Sequence, residues 1–356
     1  MMRQVGTSRA LVMCLTVGLV VGGQLSVAVA GLSWAASESS TIPVQFEQSA
    51  ASVQALVVAK NGAVYAGSFG HGIFRTVDRG ATWVPVGSGV TDPFILSLAS
   101  ATDGTIYAGT FRGGIFRSRD DGKTWHAINA GLKRLEVKAL MVTDRELYAG
   151  TGDGVHRWND TDHRWVMVTT GLDDILVHTL ARMTDGTLFA GTSGKGIYRF
   201  NPRSPGWVRM QHGLKDHEGM IENFIRVLTI DQDQNIFAGT FDGGVFRSSD
   251  GGMTWRPISR ALPNDSIRGI VLNDHGLIVA TGNGIFKTVD KGKQWTPLNK
   301  GLTSLSIQVL IEAEGGSLYA GTNGGVFRSD DGLSWLAVNH GLEVGMAPPP
   351  FLFEQR

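Results

Sequence analysis

The fold is decided by the stretch Ile106-Tyr107-Ala108-Gly109-Thr110-Phe111-Arg112-Gly113-Gly114-Ile115-Phe116-Arg117-Ser118-Arg119-Asp120-Asp121-Gly122-Lys123-Thr124-Trp125. A near-identical copy runs from Ile236 to Trp255, and related copies end at a series of tryptophans: Trp83, Trp125, Trp165, Trp207, Trp255, Trp295 and Trp335. Successive tryptophans in this series are 42, 40, 42, 48, 40 and 40 residues apart. A repeat of this length indicates a stacked or circular array of one small structural unit.

Each copy contains four short apolar runs separated by turn signals. In the second copy the runs begin at Ile95, Ile106, Ile115 and Thr124, and Asp-Gly or Gly-Gly pairs lie between them. Such short runs do not fit an amphipathic helix, but they fit antiparallel strands joined by tight turns. One small sheet cannot bury both of its faces, whereas sheets repeated around an axis protect each other's edges. We therefore predict an all-β fold, a seven-bladed β-propeller with four antiparallel strands per blade.

The turn before each tryptophan has its own pattern, Ser/Thr-x-Asp-x-Gly-x-Thr-Trp. It is complete in three copies, carries Gln294 in place of Thr in the sixth, and is shortened in the seventh. This pattern resembles the Asp-box, or BNR repeat, of sialidases, sortilin-type receptors, xyloglucan-cleaving endoglucanases and the photosystem II assembly-factor family. The residues that match the box are Asp78, Trp83, Asp120, Trp125, Asp250, Trp255, Asp290, Trp295, Asp331 and Trp335.

We expect a structural role for the box residues. The carboxylate accepts backbone N–H groups across its own turn, the glycine supplies a left-handed conformation, and the tryptophan packs between blades. A metal-binding or catalytic aspartate is the alternative, but an aspartate repeated in tight turns is normally a turn device. Asp231-x-Asp233-x-Asn235 resembles half of a calcium loop but lacks the central glycine. We therefore expect no metal and no cofactor.

The resemblance covers residues 52 to 341 and implies the fold more strongly than the function, because the families that share the repeat do unrelated things. The photosystem II assembly-factor family is the most similar in size, in targeting and in its lack of catalytic motifs. That resemblance implies a basic surface patch that binds a protein partner. The Arg-Ile/Leu-Pro segment of sialidases does not occur here. A glycosidase needs two positioned carboxyl groups, and the spacing of the acidic residues selects no such pair.

The chain divides into an N-terminal targeting segment, a linker, the repeats and a tail. The boundaries that we predict are a signal peptide at 1–30, a linker at 31–51, blades at 52–91, 92–133, 134–174, 175–223, 224–264, 265–303 and 304–341, and a tail at 342–356. Arg3 and Arg9 accompany an apolar run, and Ala28-Val29-Ala30 fits a cleavage site, with a second candidate cut after Ala35. A retained membrane anchor is the alternative, although the run is short for a bilayer span.

Export follows from this prediction, either to a periplasm or to the outside of the cell. The single cysteine, Cys14, would leave with the signal peptide, so that the mature protein would contain no disulfide. Ile42-Pro43-Val44 is a candidate strand for closing the ring on the last blade, but the seventh copy has its own fourth run, and the sequence leaves this open. The chain has 32 basic and 32 acidic residues, which gives no support to nucleic-acid binding through bulk charge.

The candidate site comes from aligning the first strands. Their second residues are mostly polar or basic: Gln54, Leu96, Lys138, His178, Arg226, Arg268 and Gln308. Because first strands line the axis of a propeller, Lys138, His178, Arg226 and Arg268 would form a basic arc at one mouth of the channel. The loops between second and third strands would bring further residues to the same face, among them Phe111, Arg112, Phe241 and Asp242. Guanidinium and ammonium groups suit carboxylate or phosphate recognition, and exposed aromatic and arginine side chains are typical anchors for a partner.

We therefore predict a monomeric, non-catalytic scaffold that binds a protein partner, with a membrane or envelope protein among the candidates. The alternative is a purely structural role, in which the basic side chains of the arc pair with acidic residues of the loops and the phenylalanines pack against neighbouring blades. The alternative function is a carbohydrate-binding or glycoside-hydrolysing propeller. A second candidate binding feature is an insertion around residues 215–223, since Trp207 and Ile225 are 18 residues apart where the other copies have 12.

Overall fold

The computed structural model describes residues 49–143, 146–168, 171–202, 206–215, 223–273 and 276–344. Several predictions from the sequence lie outside these ranges: the signal peptide, both cleavage positions, the candidate strand Ile42-Pro43-Val44, most of the insertion and the tail beyond residue 344. The described ranges contain no helix that is long and apolar enough to cross a bilayer.

The described elements are all β-strands. In chain order they are β1 (Ser49–Ala50), β2 (Val53–Val58), β3 (Val64–Ser68), β4 (Ile73–Thr76), β5 (Val84–Pro85), β6 (Ile95–Ser100), β7 (Ile106–Thr110), β8 (Ile115–Ser118), β9 (His126–Ala127), β10 (Val137–Val142), β11 (Leu147–Thr151), β12 (Gly154–Asn159), β13 (Arg164–Met167), β14 (Val177–Arg182), β15 (Leu188–Thr192), β16 (Ile197–Phe200), β17 (Trp207–Met210), β18 (Ile225–Ile230), β19 (Ile236–Thr240), β20 (Val245–Ser248), β21 (Arg256–Pro257), β22 (Ile267–Asn273), β23 (Gly276–Thr281), β24 (Gly284–Thr288), β25 (Thr296–Pro297), β26 (Ile307–Glu312), β27 (Leu318–Thr322), β28 (Gly325–Ser329), β29 (Leu336–Ala337) and β30 (Glu343–Val344).

Strands β2 to β29 form seven sheets of four strands, each sheet antiparallel and in sequence order. The first strand of every blade contacts the first strands of both neighbouring blades, and β26 of the last blade contacts β2 of the first. The first strands therefore form a closed inner ring. In five blades the fourth strand is only two residues long and exposed, as expected for the outer edge. The predicted seven-bladed β-propeller is confirmed.

At six of the seven seams, neighbouring blades meet at a glycine in the second strand; in blade six the equivalent residue is Ala280. In β19 a Cβ added at Gly239 would lie 2.5 Å from the Cγ2 atom of Ile267, the first residue of the next blade. In β11 a Cβ at Gly150 would lie 2.7 Å from Val177 Cγ1. The missing side chain makes room for the Ile or Val of the neighbour, and both Ile267 and Val177 are fully buried. Burying each such side chain contributes about 1.5–3 kcal/mol.

A second contact between blades involves the repeated tryptophan. The backbone N–H of Trp165 donates to the Ala130 carbonyl of the preceding blade at 2.7 Å, and its indole Nε1–H donates to Ile128 O at 2.6 Å. Gly131, at φ 92°, lies so close that a Cβ there would overlap the Trp165 carbonyl oxygen. We call this arrangement the tryptophan latch. Its backbone hydrogen bond recurs in four further pairs: Trp83–His340, Trp125–Ser88, Trp255–His212 and Trp335–Lys300.

The turn before each tryptophan is held by its aspartate. Asp120 Oδ1 accepts hydrogen bonds from Ser118 Oγ at 2.8 Å and from the Thr124 backbone N–H at 2.9 Å, and Oδ2 accepts from Thr124 Oγ1 at 2.6 Å. Asp78 and Asp250 make the same set of contacts. These hydrogen bonds, chiefly those from Thr124, lower the pKa of Asp120 to about 2.

Among the described residues, no strand is shared between the first and last blades. Blade seven has its own fourth strand, β29, and β1 pairs with β30 in a separate two-stranded sheet beside the seam. The Ala51 N–H extends this pairing by donating to Leu342 O at 3.0 Å. The tryptophan latch also crosses the seam, since Trp83 donates to His340 O at 2.8 Å and through Nε1 to Val338 O at 2.7 Å.

We expect the variant Gly131→Ala to lower the free energy of unfolding by at least about 2 kcal/mol more than Gly104→Ala. Both glycines have a left-handed backbone, at φ 92° and 89°, so both variants carry the same conformational strain. A Cβ at Gly104 meets no atom within 4 Å, whereas one at Gly131 must break the latch and its hydrogen bonds. Urea unfolding of the two variants measures the difference, and equal losses would mean that the latch contributes nothing.

Acid should remove the contribution of the aspartate turns. A carboxylate whose pKa in the folded protein is about 2 stabilises the fold above its ordinary pKa near 4, and this stabilisation disappears as the pH falls toward 2. The difference in melting temperature between the wild type and Asp120→Asn should therefore be present at pH 7 and shrink between pH 4 and 2. Asp233→Asn removes an exposed charge for which the structure shows no such hydrogen bonds, and it serves as the control. A constant Asp120→Asn difference across this range would contradict the assignment.

Candidate functional site at the channel mouth

The start of every first strand lies beside the loop between the second and third strands of the same blade, because the strands are antiparallel. Backbone hydrogen bonds join the two: the Phe241 N–H donates to Phe224 O at 3.0 Å, and the Phe111 N–H donates to Phe94 O at 3.0 Å. The aspartate turns follow the third strands and therefore lie at the opposite end of the sheets. We call the end that carries the strand starts and these loops the upper face.

A β-bulge places the second residue of each first strand. In all seven blades the register shifts between the first and third residues, for example between Ile225 and Val227 opposite Thr240 and Gly239. The extra, unpaired residues are those of the predicted polar layer: Gln54, Leu96, Lys138, His178, Arg226, Arg268 and Gln308. A bulge re-aims a side chain and interrupts strand alternation, so this layer does not belong to the apolar face that follows it. Sequence alternation alone gave no sign of the bulge.

Arg226 is the centre of a cluster of aromatic rings. Its Cζ atom lies 4.5 Å from the centroid of Phe241 and 5.9 Å from that of Phe224, within the range of cation–π attraction. Phe224 in turn lies 5.4 Å from Phe241 and 4.8 Å from the His178 ring, measured between centroids. The structure thus joins two residues of the predicted arc to the predicted loop anchor Phe241.

Of the four residues of the predicted basic arc, three are cations at neutral pH. Burial, with the nearby charges of Lys138 and Arg226, lowers the pKa of His178 to about 4. The imidazole is therefore neutral at pH 7 and acts as an aromatic and hydrogen-bonding group. Burial also lowers the pKa of Arg226 and Arg268, and the charge of Arg268 adds to this effect at Arg226.

The three cations differ in their partners. Lys138 Nζ lies 3.4 Å from Glu136 Oε1, a pairing with a loop carboxylate that fits the structural alternative. Arg268 donates through Nη1 to Gln308 Oε1, but its Nε is buried without a hydrogen-bond partner in the described structure. No carboxylate of the described residues forms an ion pair with Arg226 or Arg268. Two half-buried guanidinium groups thus lie near each other with no counter-ion among the described residues.

The other side of the upper face, on blades one and two, is mainly aromatic. Phe69, 48% exposed, packs edge-on against Phe94 of blade two with 4.8 Å between ring centroids. The bulge residue of blade two is Leu96. Arg112 lies over the ring of Phe111 with Cζ 5.2 Å from the centroid. The upper face therefore has a mainly aromatic side on blades one and two, which also carries Arg112. On blades three to six the cations lie beside Phe224 and Phe241.

The remaining predicted site residues make local hydrogen bonds or are exposed. Gln54 donates to Ser52 Oγ at 3.0 Å, and Gln308 donates to Ser306 Oγ at 3.1 Å and to Asn323 Oδ1 at 2.9 Å. Asp242 is exposed beside Phe241.

Sequence reasoning missed Phe94 and Phe224. Each immediately precedes the first residue of an inner strand, Ile95 or Ile225, so the signal lay one position upstream in the same alignment.

Comparisons with known proteins establish the fold. No known protein family and no curated protein sequence matches the chain. Among solved structures, the extracellular domain of a hybrid two-component system from Bacteroides thetaiotaomicron is similar, with a TM-score of 0.67 and 16% identity over 81% of this chain and 41% of that one. The GH74 enzyme of Niastella koreensis gives a TM-score of 0.66 and 16% identity over 83% and 55% of the two chains.

YCF48 from Cyanidioschyzon merolae matches over 79% of this chain and 96% of its own, with a TM-score of 0.63 and 15% identity. A structure of YCF48 bound to a D1 peptide gives a TM-score of 0.62 and 14% identity, over 79% and 93% of the two chains. This chain spans less than half of the Bacteroides domain and about half of the GH74 enzyme. The propeller is common to proteins with different activities. The similarity therefore supports the fold, and the function has to be inferred from the site.

Proposed function

We propose that this chain is an exported, non-catalytic scaffold that binds an anionic segment of a partner polypeptide across its upper face. The observation that carries the proposal is the pair Arg226 and Arg268, which are half-buried beside each other without a carboxylate partner in the described structure. Burying a cation without compensation is unfavourable, and a ligand carboxylate would supply the missing charge and hydrogen bonds.

The surroundings of the two arginines favour a specific ligand over bulk solvent. Phe224 and Phe241 hold Arg226 from the side, so that its guanidinium is placed in advance of binding. The unpartnered Nε of Arg268 is a donor that an acceptor on the ligand can satisfy. A planar guanidinium matches the two oxygens of a carboxylate, and preorganisation reduces the entropy lost on binding.

A polypeptide fits the upper face better than a small anion because the face has two chemically different sides. An extended segment with acidic side chains over the cations would place apolar side chains over Phe69, Phe94 and Leu96. Aromatic and arginine residues are the usual anchors of protein interfaces. The binding of a D1 peptide by the structurally similar YCF48 supports a peptide ligand as a class. The likeness to GH74 enzymes keeps a glycan as the competing ligand.

The test is affinity capture from a cell-envelope extract with the tagged full-length chain, followed by titration of the purified partner. We expect the double variant Arg226→Gln/Arg268→Gln to weaken binding of that partner about 30-fold or more, because the loss of even one arginine anchor from an interface costs about 2 kcal/mol. The matched control is Lys123→Gln/Arg164→Gln, which removes the same charge from exposed positions away from the upper face, and it should bind like the wild type.

Three results would contradict the proposal. Equal loss in both double variants would mean that only net charge matters. Unchanged binding by Arg226→Gln/Arg268→Gln would place the partner elsewhere on the molecule. Retention of polysaccharide in place of a polypeptide would favour the glycan alternative.

A further inference from the structure

The seam between blades five and six lacks the glycine of the tryptophan latch. Five seams carry the latch, and in each of them this position is a glycine in a left-handed conformation, at φ between 85° and 95°: Gly89, Gly131, Gly213, Gly301 and Gly341. Blade five has Ala261 at the equivalent position, six residues after Trp255, and Ala261 is not left-handed. A Cβ at any of the five glycines would overlap the carbonyl of the following tryptophan. Alanine therefore prevents the close approach that the latch needs.

The latch is accordingly open at this seam. No backbone hydrogen bond joins Trp295 to Arg260 in the described structure, and this missing bond distinguishes the seam. The Trp295 indole Nε1–H is also buried without a partner, as are those of Trp207 and Trp255. Trp295 is half-buried, whereas the other six tryptophans of the series are buried. Gly292 packs instead against the Ile258 carbonyl, so closely that a Cβ would overlap it.

A cleft of about 880 Å³ lies along the open seam. One wall is the segment from Pro257 to Leu262 of blade five, and the other is the turn Lys291–Lys293 of blade six. A second cleft of about 290 Å³ adjoins it and shares Ile258 and Lys291. The larger volume lies in the range of ligand sites in proteins. We call the larger one the seam cleft.

The seam cleft has an apolar floor and a cationic rim. The floor contains Leu262, which is buried, and Ile258, which is half-buried. Around it lie three exposed cations, Arg260, Lys291 and Lys293. None of these three cations forms an ion pair among the described residues. Asp265 is the single carboxylate of the lining and already has an interaction of its own. The rim therefore favours a ligand with several negative charges.

We propose that the seam cleft is a second binding site, which takes a short acidic peptide segment with apolar side chains on Ile258 and Leu262 and carboxylates toward the three cations. The segment enters because Ala261 keeps the seam open. The cleft reaches Gly243, in the loop that carries Phe241, but its lining contains neither Arg226 nor Arg268. The proposal therefore stands whether or not the function proposed above holds.

The experiment uses the full-length chain and the unlabelled peptide acetyl-Glu-Leu-Asp-Glu-Leu-Asp-amide, with its Gln/Asn counterpart as the neutral probe, and measures binding by titration calorimetry. We expect the acidic peptide to bind at least about tenfold more tightly than the neutral one at low salt. The variant Arg260→Gln/Lys291→Gln/Lys293→Gln should reduce this binding at least about tenfold while leaving the seam open. Arg226→Gln/Arg268→Gln, which alters the upper face, should leave it unchanged.

Ala261→Gly tests the structural cause with all charges in place. Glycine permits both the left-handed conformation and the close approach, so the latch should form and binding should fall at least about tenfold. Hydrogen exchange at the Trp295 amide should slow in the same variant, which is a readout independent of binding. The proposal is overturned by equal binding of both probes, by binding that survives both seam variants, or by loss of binding in the upper-face variant. Preference for an acidic oligosaccharide over the peptide in a competition would equally reject the peptide as occupant.

Discussion

The close approach of neighbouring blades at glycine is the contact on which the structure depends. At Gly239 the backbone of one blade meets the Ile267 side chain of the next, and at Gly131 it meets the carbonyl of Trp165. Both contacts join neighbouring blades, and both are needed because a four-stranded sheet cannot bury its own faces. The aspartate turns act more locally: they fix the hairpin that delivers each tryptophan to its neighbour.

The position of the candidate site is a consequence of this packing. Each first strand begins with a buried Ile or Val, and in six of the seven blades this residue packs against a second-strand glycine of the preceding blade. Before Ile307 the equivalent residue is Ala280. The bulge follows at once, so the second residue is released from the ladder. Packing fixes where this residue lies but not what it is, which explains how Gln, Leu, Lys, His and Arg occupy equivalent positions. The ring can thus carry a basic side and an apolar side without any change in the fold.

Sequence predicted what depends on local chemistry and missed what depends on pairing. The period of the tryptophans and the turns around Asp120 identify blades and strands, because a turn motif acts within a few residues. The bulge at Arg226 arises from pairing between strands, and the neutral state of His178 arises from burial and from charges on two other blades. Ala261 was visible as an exception to glycine, but its meaning requires knowing that the glycine faces the tryptophan carbonyl of the next blade.

The two proposed sites use positive charge in physically different ways. Arg226 and Arg268 are half-buried, so salt screens them weakly and their attraction for a carboxylate depends on geometry. Arg260, Lys291 and Lys293 are exposed, and exposed charges are screened within about 10 Å at 0.1 M salt. Affinity in the seam cleft must therefore come largely from the apolar floor, with the cations selecting which peptides enter. In the proposed mechanism a closed latch would cover that floor while leaving every charge in place, so the conformation of Ala261 would decide whether a peptide can enter.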